Sequence, residues 1–228
     1  MNERETFWAD YYGKMSDTAE HWLDYSNDRV QAQTFGVVFA ALGPVTKRRC
    51  LDVGCGLGQL ASALAAVGAR EVVGIDVTEE FIERLREQEP RVRWGVGSLD
   101  NAELCARLGR FDAISLVEVL QYMPVRATLE RAWSMLEPGG RVVAVVPNRD
   151  CPIVAKAIAR FGGSYLPPTV GELVAVGSSL EAASGFGLQG MFFDQDQTLA
   201  PYRVTSWEPR PSFDSPPNRL VFAAAKAS

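Results

Sequence analysis

The sequence predicts an α/β fold: a doubly wound, mostly parallel sheet with helices on both faces, preceded by an N-terminal helical cap. Three observations carry this. From residue 48 onward, β-branched runs alternate with helical patterns at the rhythm of strand–helix–strand units. The runs are nearly continuous in apolar residues, as strands covered on both faces must be. The first of them, LDVGCGLGQLA at 51–61, closes on three glycines at alternate positions and opens straight into a helical pattern.

Taken in order, the strands are RRCLDVG (48–54), REVVGIDV (70–77), RVRWGVG (91–97), FDAISLVEV (111–119) and GRVVAVVP (140–147). The helical patterns between them are GQLASALAAVGA, TEEFIERLREQ, DNAELCARLG and RATLERAWSML. Right-handed crossovers between such strands build the doubly wound sheet. Thr78 ahead of Glu79 and Glu80 suits a helix start, and Glu137-Pro138-Gly139-Gly140 reads as a stop and turn before the fifth strand.

The flanks differ in texture. Residues 1–46 are rich in aromatics and helical in pattern, and read as two or three short helices forming a cap; residues 47–228 form the main domain. Within it, 149–167 reads as a partly helical insertion, followed by a helix over about 169–184, a strand near 187–194 and a last strand from 218. The proline-punctuated stretch 194–217 is long for a plain connection, and with the N-terminal helices and 149–167 it is placed to roof a closed pocket.

Composition narrows the partners. With 228 residues, 47% hydrophobic and 22% charged content, the chain reads as a soluble globular protein with one well-filled core. A formal net charge of −5 and scattered Lys and Arg weigh against a nucleic-acid partner. No apolar run is long enough to span a bilayer. Cys50, Cys55, Cys105 and Cys151 form no CxxC pair and His21 is the one histidine, so no metal site is expected; free thiols and the absence of a secretory pattern at the N-terminus suggest a cytoplasmic protein.

The glycines call for a ligand. Three in five positions are costly unless the backbone needs them, and a strand–glycine turn–helix is where a nucleotide-like group sits. The dinucleotide pattern GxGxxG would need glycine at 59, but Gln59 stands there, and the spacing is GxGxG. Asp52 precedes the turn, where a carboxylate repels phosphate and welcomes a cation. Asp76 ends the second strand, where a carboxylate can take both hydroxyls of a ribose. Ribose, cation and no phosphate describe S-adenosylmethionine. The alternative readings are a tight turn without ligand, a nicotinamide oxidoreductase opposed by Gln59 and Asp52, and a non-catalytic module that binds the same cofactor.

At these residues the sequence resembles the class I, Rossmann-like methyltransferases of the small-molecule type. LDVGCGLG is similar to their first motif, VVGIDVTEEFIERLRE to their second strand and helix, and FDAISLVEVLQYMP and LEPGGRVVAVVPN to their fourth and fifth strands. The resemblance implies a seven-stranded sheet with its last strand antiparallel. It implies S-adenosylmethionine as cofactor and S-adenosylhomocysteine as product. The methionine moiety would lie near Asp52, Gly54, Gly56 and Gly58, the ribose on Asp76, and the adenine beside Val77 and the stretch Ser98-Leu99-Asp100. The backbone at Glu118 would pass beneath the cofactor. Tyr12, Tyr25 and Arg29 are candidates for its carboxylate, or are packing residues of the cap.

The acceptor is less legible. Similar ubiquinone-type O-methyltransferases carry Glu-His after the fourth strand, where this chain has Gln121 and Tyr122. The residues from Glu118 to Met123 contain neither the (Asn/Asp)-Pro-Pro-(Tyr/Phe) turn of amino-DNA methylases nor the Pro-Cys of cytosine-C5 methylases. Tyr122, His21 and Asp150 are the candidate catalytic groups, each with a purely structural alternative. The expected function is methyl transfer to an oxygen or nitrogen of a small molecule in specialised metabolite biosynthesis, mainly by positioning, in a monomer or homodimer.

Overall fold

The structure, a computed structural model, describes residues 1–15, 28–192 and 203–228. Five strands follow in chain order where the apolar runs predict them: β1 (Arg49–Val53), β2 (Glu71–Asp76), β3 (Arg93–Val96), β4 (Phe111–Val117) and β5 (Leu136–Pro147). They are joined in parallel, β1 lying between β2 and β4. β6 (Ala183–Phe192) and β8 (Arg219–Lys226) complete the seven expected strands, with β8 inserted antiparallel between β5 and β6. A two-residue strand, β7 (Arg203–Val204), adds to the edge of β6, giving the order β3-β2-β1-β4-β5-β8-β6-β7.

Eight helices are described: α1 (Glu3–Met15), α2 (Asp28–Leu42), α3 (Gln59–Ala66), α4 (Glu79–Gln88), α5 (Ala102–Leu108), α6 (Val125–Ser134), α7 (Pro152–Phe161) and α8 (Val170–Ser179). The period-two alternation of the strands sends their side chains to two cores. On one face, Leu51, Ile114 and Leu116 pack with Leu104 of α5, Leu129 of α6 and Leu173 of α8. On the other, Cys50, Val143 and Val221 pack with Val38 and Leu42 of α2, Leu64 of α3 and Ile82 of α4.

Val38 and Leu42 are fully buried against the same strands as Leu64, so α2 is one of three helices covering this face. Helices α1 and α7 lie outside both main cores and meet in a third, smaller cluster that holds Trp8 and Val154.

Two local details also differ from expectation. Strand β5 begins at Leu136 instead of 140: Leu136 pairs with Phe111 and Arg141 with Ala113, so Glu137–Gly140 form an excursion within the strand, with Gly139 at φ +74°. Thr78 holds the N-cap position of α4 without a side-chain capping bond; its backbone N–H donates to Asp76. The true side-chain caps are Asn101 on α5 and the Thr169–Glu172 capping box on α8. No helix among the described residues is long and apolar enough to cross a membrane.

The strand order reverses direction between β1 and β4. In open α/β sheets the crevice at that switch point, beyond the carboxyl ends of the strands, is where ligands bind.

Candidate functional site

A cavity of about 1370 Å³ opens at this crevice. The loops after β1 and β2 form its floor, the turn after β4 its centre, α1 its cover, and Tyr165 and Leu166 of the insertion its far wall.

The glycine loop is built from within. Gly54 and Cys55 N–H both donate to the Ile75 carbonyl, at 2.8 and 3.0 Å, and Gly58 N–H to the Cys55 carbonyl at 2.8 Å. Gly56 N–H donates to Asp76 Oδ2 at 2.9 Å. These amides are therefore spent on the fold and form no phosphate cradle. All three glycines are left-handed, at φ +66°, +50° and +74°, but for different reasons. A Cβ on Gly54 would lie 2.4 Å from Val119 Cγ2, whereas one on Gly56 would meet nothing within 4 Å. Gly56 is the face open to a ligand.

Gly58 is different. A Cβ there would lie 2.7 Å from both Leu85 and Trp94, and Gly58 is absent from the cavity wall. It makes room for the Trp94 ring, whose indole N–H donates to the Glu89 carbonyl at 2.9 Å. Its expected contact with the cofactor is thus corrected to a packing role. The Leu99 side chain is 1% exposed in the core below, while its neighbours Ser98 and Asp100 line the cavity.

Two carboxylates lie at the floor. Asp76 receives the N–H groups of Gly56 and Thr78, one on each oxygen, at 2.9 Å. Burial raises its pKa and these bonds oppose the rise. Each oxygen keeps a second lone pair, enough for the two hydroxyls of a vicinal diol. Asp52 is 3% exposed between its sheet neighbours Gly74 and Ser115, and accepts the Ser115 hydroxyl at 2.8 Å. Burial, with the Asp76 charge adding to it against the Ser115 bond, pushes its pKa up to about 7. A buried acid poised there gains from a cation arriving beside it.

Val77 lines the cavity between Asp76 and Phe81. Next to it, Ser98 donates to Glu5 of α1, and Asn2 Nδ2 donates to Asp100 Oδ2 at 3.1 Å. Helix α1 is held at its other side by Arg4 on the Gly163 carbonyl and Trp8 on the Ser164 carbonyl, at 3.0 and 2.9 Å. It therefore spans the cavity from the end of β3 to the insertion.

Glu118, at the end of β4, is left-handed at φ +54° although it carries a side chain. Its carboxylate pairs with Arg219 of β8, and its carbonyl accepts Gln121 Nε2 at 2.7 Å. Tyr122 closes the centre of the cavity: its hydroxyl lies 2.6 Å from that of Tyr12, and its ring centroid 4.4 Å from that of Trp8. Tyr165 stands behind them, its hydroxyl held well above its ordinary pKa by burial and by Tyr122 and Glu118.

Of the other sequence candidates, Asp150 is exposed and lies off the cavity wall, so it is not placed to act there. His21 and Tyr25 lie outside the described residues, as does the side chain of Arg29. The proline-rich stretch is partly outside them too; within 203–217 no residue lines the cavity, and Glu208 instead bridges to Leu188 on β6. The roof is α1 and the insertion. Sequence reasoning missed Arg219 and Ser115. An antiparallel strand begins where its parallel neighbours end, so the first residue of β8, paired with Pro147, had to reach the crevice.

Comparison with known proteins agrees with this geometry. Residues 50–140 match the family model described as "Methyltransferase domain". The ubiquinone biosynthesis O-methyltransferase of Alkalilimnicola ehrlichii is 37% identical over 162 residues, 67% of this chain and 64% of that protein. That of Bordetella pertussis is 31% identical over 146 residues, 60% of each. The match thus spans less than two thirds of these relatives' own length.

Solved structures extend the likeness over the whole fold. Magnesium protoporphyrin IX methyltransferase from Synechocystis PCC 6803, crystallised with S-adenosylhomocysteine, superposes with a TM-score of 0.69 at 16% identity, covering 98% of this chain and all of the other. A possible histamine N-methyltransferase from Thermotoga maritima gives 0.69 at 16%, covering 94% and 98%. The chain shares the Rossmann-like fold of these structures.

Proposed function

We propose that this chain binds S-adenosylmethionine at the floor of the cavity and transfers its methyl group to a small-molecule acceptor in the aromatic half. The observation that carries this reading is the pairing of Gly56 with Asp76: an open glycine face beside a buried carboxylate with hydroxyl-accepting capacity left over. The donor set fits the cofactor. Asp76 would take the ribose hydroxyls, Asp52 the cationic methionine end, and Val77 and Ser98 would border the adenine. The amides of Gly54, Cys55, Gly56 and Gly58 are internally satisfied, which disfavours a pyrophosphate held by these glycines and therefore a nicotinamide dinucleotide.

When bound, S-adenosylmethionine supplies a methyl group made electrophilic by its sulfonium. The residues of the chain contribute the rest. Trp8, Tyr12 and Tyr122 present ring faces that favour a cation and exclude water. The walls from α1 and the insertion hold an acceptor against the floor, and such alignment can supply ~7–11 kcal/mol of a barrier. The relatives' printed activity favours oxygen as the acceptor atom, and a cavity of this size suits a metabolite; we place the reaction in specialised biosynthesis.

Calorimetric titration with S-adenosylhomocysteine and, separately, NADH tests the reading. Micromolar binding of the first and none of the second is expected. No heat from S-adenosylhomocysteine in a folded sample would overturn it.

A further inference from the structure

Glu118 is held on every side but one. Its N–H donates to the Val145 carbonyl at 2.8 Å, its carbonyl accepts Gln121 Nε2 at 2.7 Å, and one carboxylate oxygen, Oε1, is taken by Arg219. The other oxygen, Oε2, has no hydrogen-bond partner among the described residues and is not sealed from the cavity that Glu118 lines. A side-chain-bearing residue persists at a left-handed φ of +54° only where its surroundings fix it, and such residues cluster at functional sites.

Gln121 shows how strongly this arrangement is imposed. It is 1% exposed, and it spends its amide N–H on the Glu118 carbonyl while its own Oε1 stays buried without a hydrogen-bond partner. Its backbone carbonyl accepts the Leu166 N–H at 2.8 Å, tying the turn to the insertion wall. Gln121 and Arg219 thus act on Glu118 from opposite sides, and both are positioning residues.

We propose that Glu118 is the proton acceptor of the reaction, its free carboxylate oxygen taking the hydroxyl proton of the methyl acceptor, with Arg219 and Gln121 aiming it. This rests on the reading that the cavity methylates a hydroxyl-bearing small molecule. In the step, the acceptor O–H proton passes to Glu118 Oε2 and the oxygen lone pair forms the new O–CH₃ bond. The C–S bond breaks, and its electron pair neutralises the sulfonium. Charge and atoms balance without any further reactant. The groups facing Glu118 suit the role: burial raises its pKa and Arg219 from β8 opposes that rise, while among the described residues Tyr122 from the turn and Tyr165 from the insertion offer hydroxyls beside it. Tyr12 of α1 completes the ring through Tyr122.

The test uses 4-nitrocatechol as a chromogenic acceptor mimic on the full chain loaded with S-adenosylhomocysteine, followed by visible absorbance from pH 5 to 9. The bound probe is expected to ionise about one pH unit above the free probe, because the Glu118 carboxylate accepts the neutral probe's O–H and repels its phenolate, a tenfold shift in the equilibrium. Glu118→Gln should abolish that displacement while circular dichroism shows an intact fold. Arg219→Met should move the low-pH onset upward, because the ionised form of Glu118 then loses its cationic partner, and Arg219→Lys should restore it. A wild-type displacement in Glu118→Gln, or an onset unmoved in Arg219→Met, overturns the proposal. So does failure of the probe to bind a protein that binds S-adenosylhomocysteine, which leaves the cofactor reading standing. Failure to bind S-adenosylhomocysteine overturns both.

Discussion

The hydroxyls of Tyr12 and Tyr122 lie 2.6 Å apart across 110 residues of sequence, one on the covering helix and one on the turn after β4. Around them, the Trp8 ring packs between Tyr122 and Phe161, at centroid distances of 4.4 and 5.1 Å. This cluster is an apolar hold on α1, and polar bonds at its first turns add to it.

Removing one hydroxyl should therefore loosen α1 without unfolding the domain. A typical intramolecular hydrogen bond contributes about 0.5–1.5 kcal/mol. We expect amide exchange in residues 3–15 to rise by roughly two- to tenfold in Tyr12→Phe, by the same range in Tyr122→Phe, and no further in the double variant. Additive effects in the double variant would show that the two hydroxyls do not act on each other.

Asp76 is the residue on which cofactor affinity should depend most directly. Charge-assisted hydrogen bonds contribute about 1.5–3 kcal/mol, so Asp76→Ala should weaken S-adenosylhomocysteine binding by tenfold or more in calorimetry. The alanine also orphans the Gly56 and Thr78 amides, which Asp76→Asn would partly spare. The expected order of affinity is therefore wild type, then Asn, then Ala. Unchanged affinity in folded Asp76→Ala would remove the ribose assignment.

The parts of this site that were legible in the sequence are those whose chemistry is local. Asp52, the glycine loop and Asp76 are specified by a strand, a turn and the next strand, and their types at that spacing carry the argument. The strand order followed for the same reason. What was not legible is long-range or a matter of facing. Glu118 and Arg219 are 101 residues apart, and nothing near either announces the other. Ser98 and Leu99 are adjacent, but one side chain faces the cavity and the other the core. Gly58 looks like its two neighbours in the motif, yet it answers to Trp94, whose ring claims the space. The covering role was expected of the proline-rich stretch, but Glu208 there pairs with the sheet edge instead.

The raised pKa of Asp52, about 7, makes stability fall with pH over a defined window. An unfolded aspartate titrates near 3.9, so between about pH 4 and 7 the native state holds a proton that the unfolded state has lost. Stability from this group is greatest below about pH 4 and is lost as pH rises to about 7, after which the difference is constant. Asp52→Asn should match the wild type in denaturant melts near pH 4 and exceed it at pH 8 by on the order of a few kcal/mol. A cationic ligand should reverse the penalty by favouring the ionised acid. Binding of S-adenosylhomocysteine at pH 6.5 should then release a proton, seen as a buffer-dependent heat in calorimetry, and Asp52→Asn should release none.

Gly54 and Gly56 separate the structural from the ligand-facing part of the loop. Both are left-handed, so alanine at either carries a backbone cost of roughly 1–2 kcal/mol. At Gly54 the new methyl would also lie 2.4 Å from Val119, on a loop pinned by the Ile75 carbonyl, and Val119 directly follows Glu118. Gly54→Ala should therefore lower the melting temperature well beyond Gly56→Ala. At Gly56 the methyl meets no protein atom but projects into the cavity beside Asp76. Gly56→Ala should keep most of its stability and lose at least tenfold in affinity for S-adenosylhomocysteine. If instead Gly56→Ala binds as tightly as wild type, the cofactor does not lie against this face of the loop, and the floor of the cavity must be read differently.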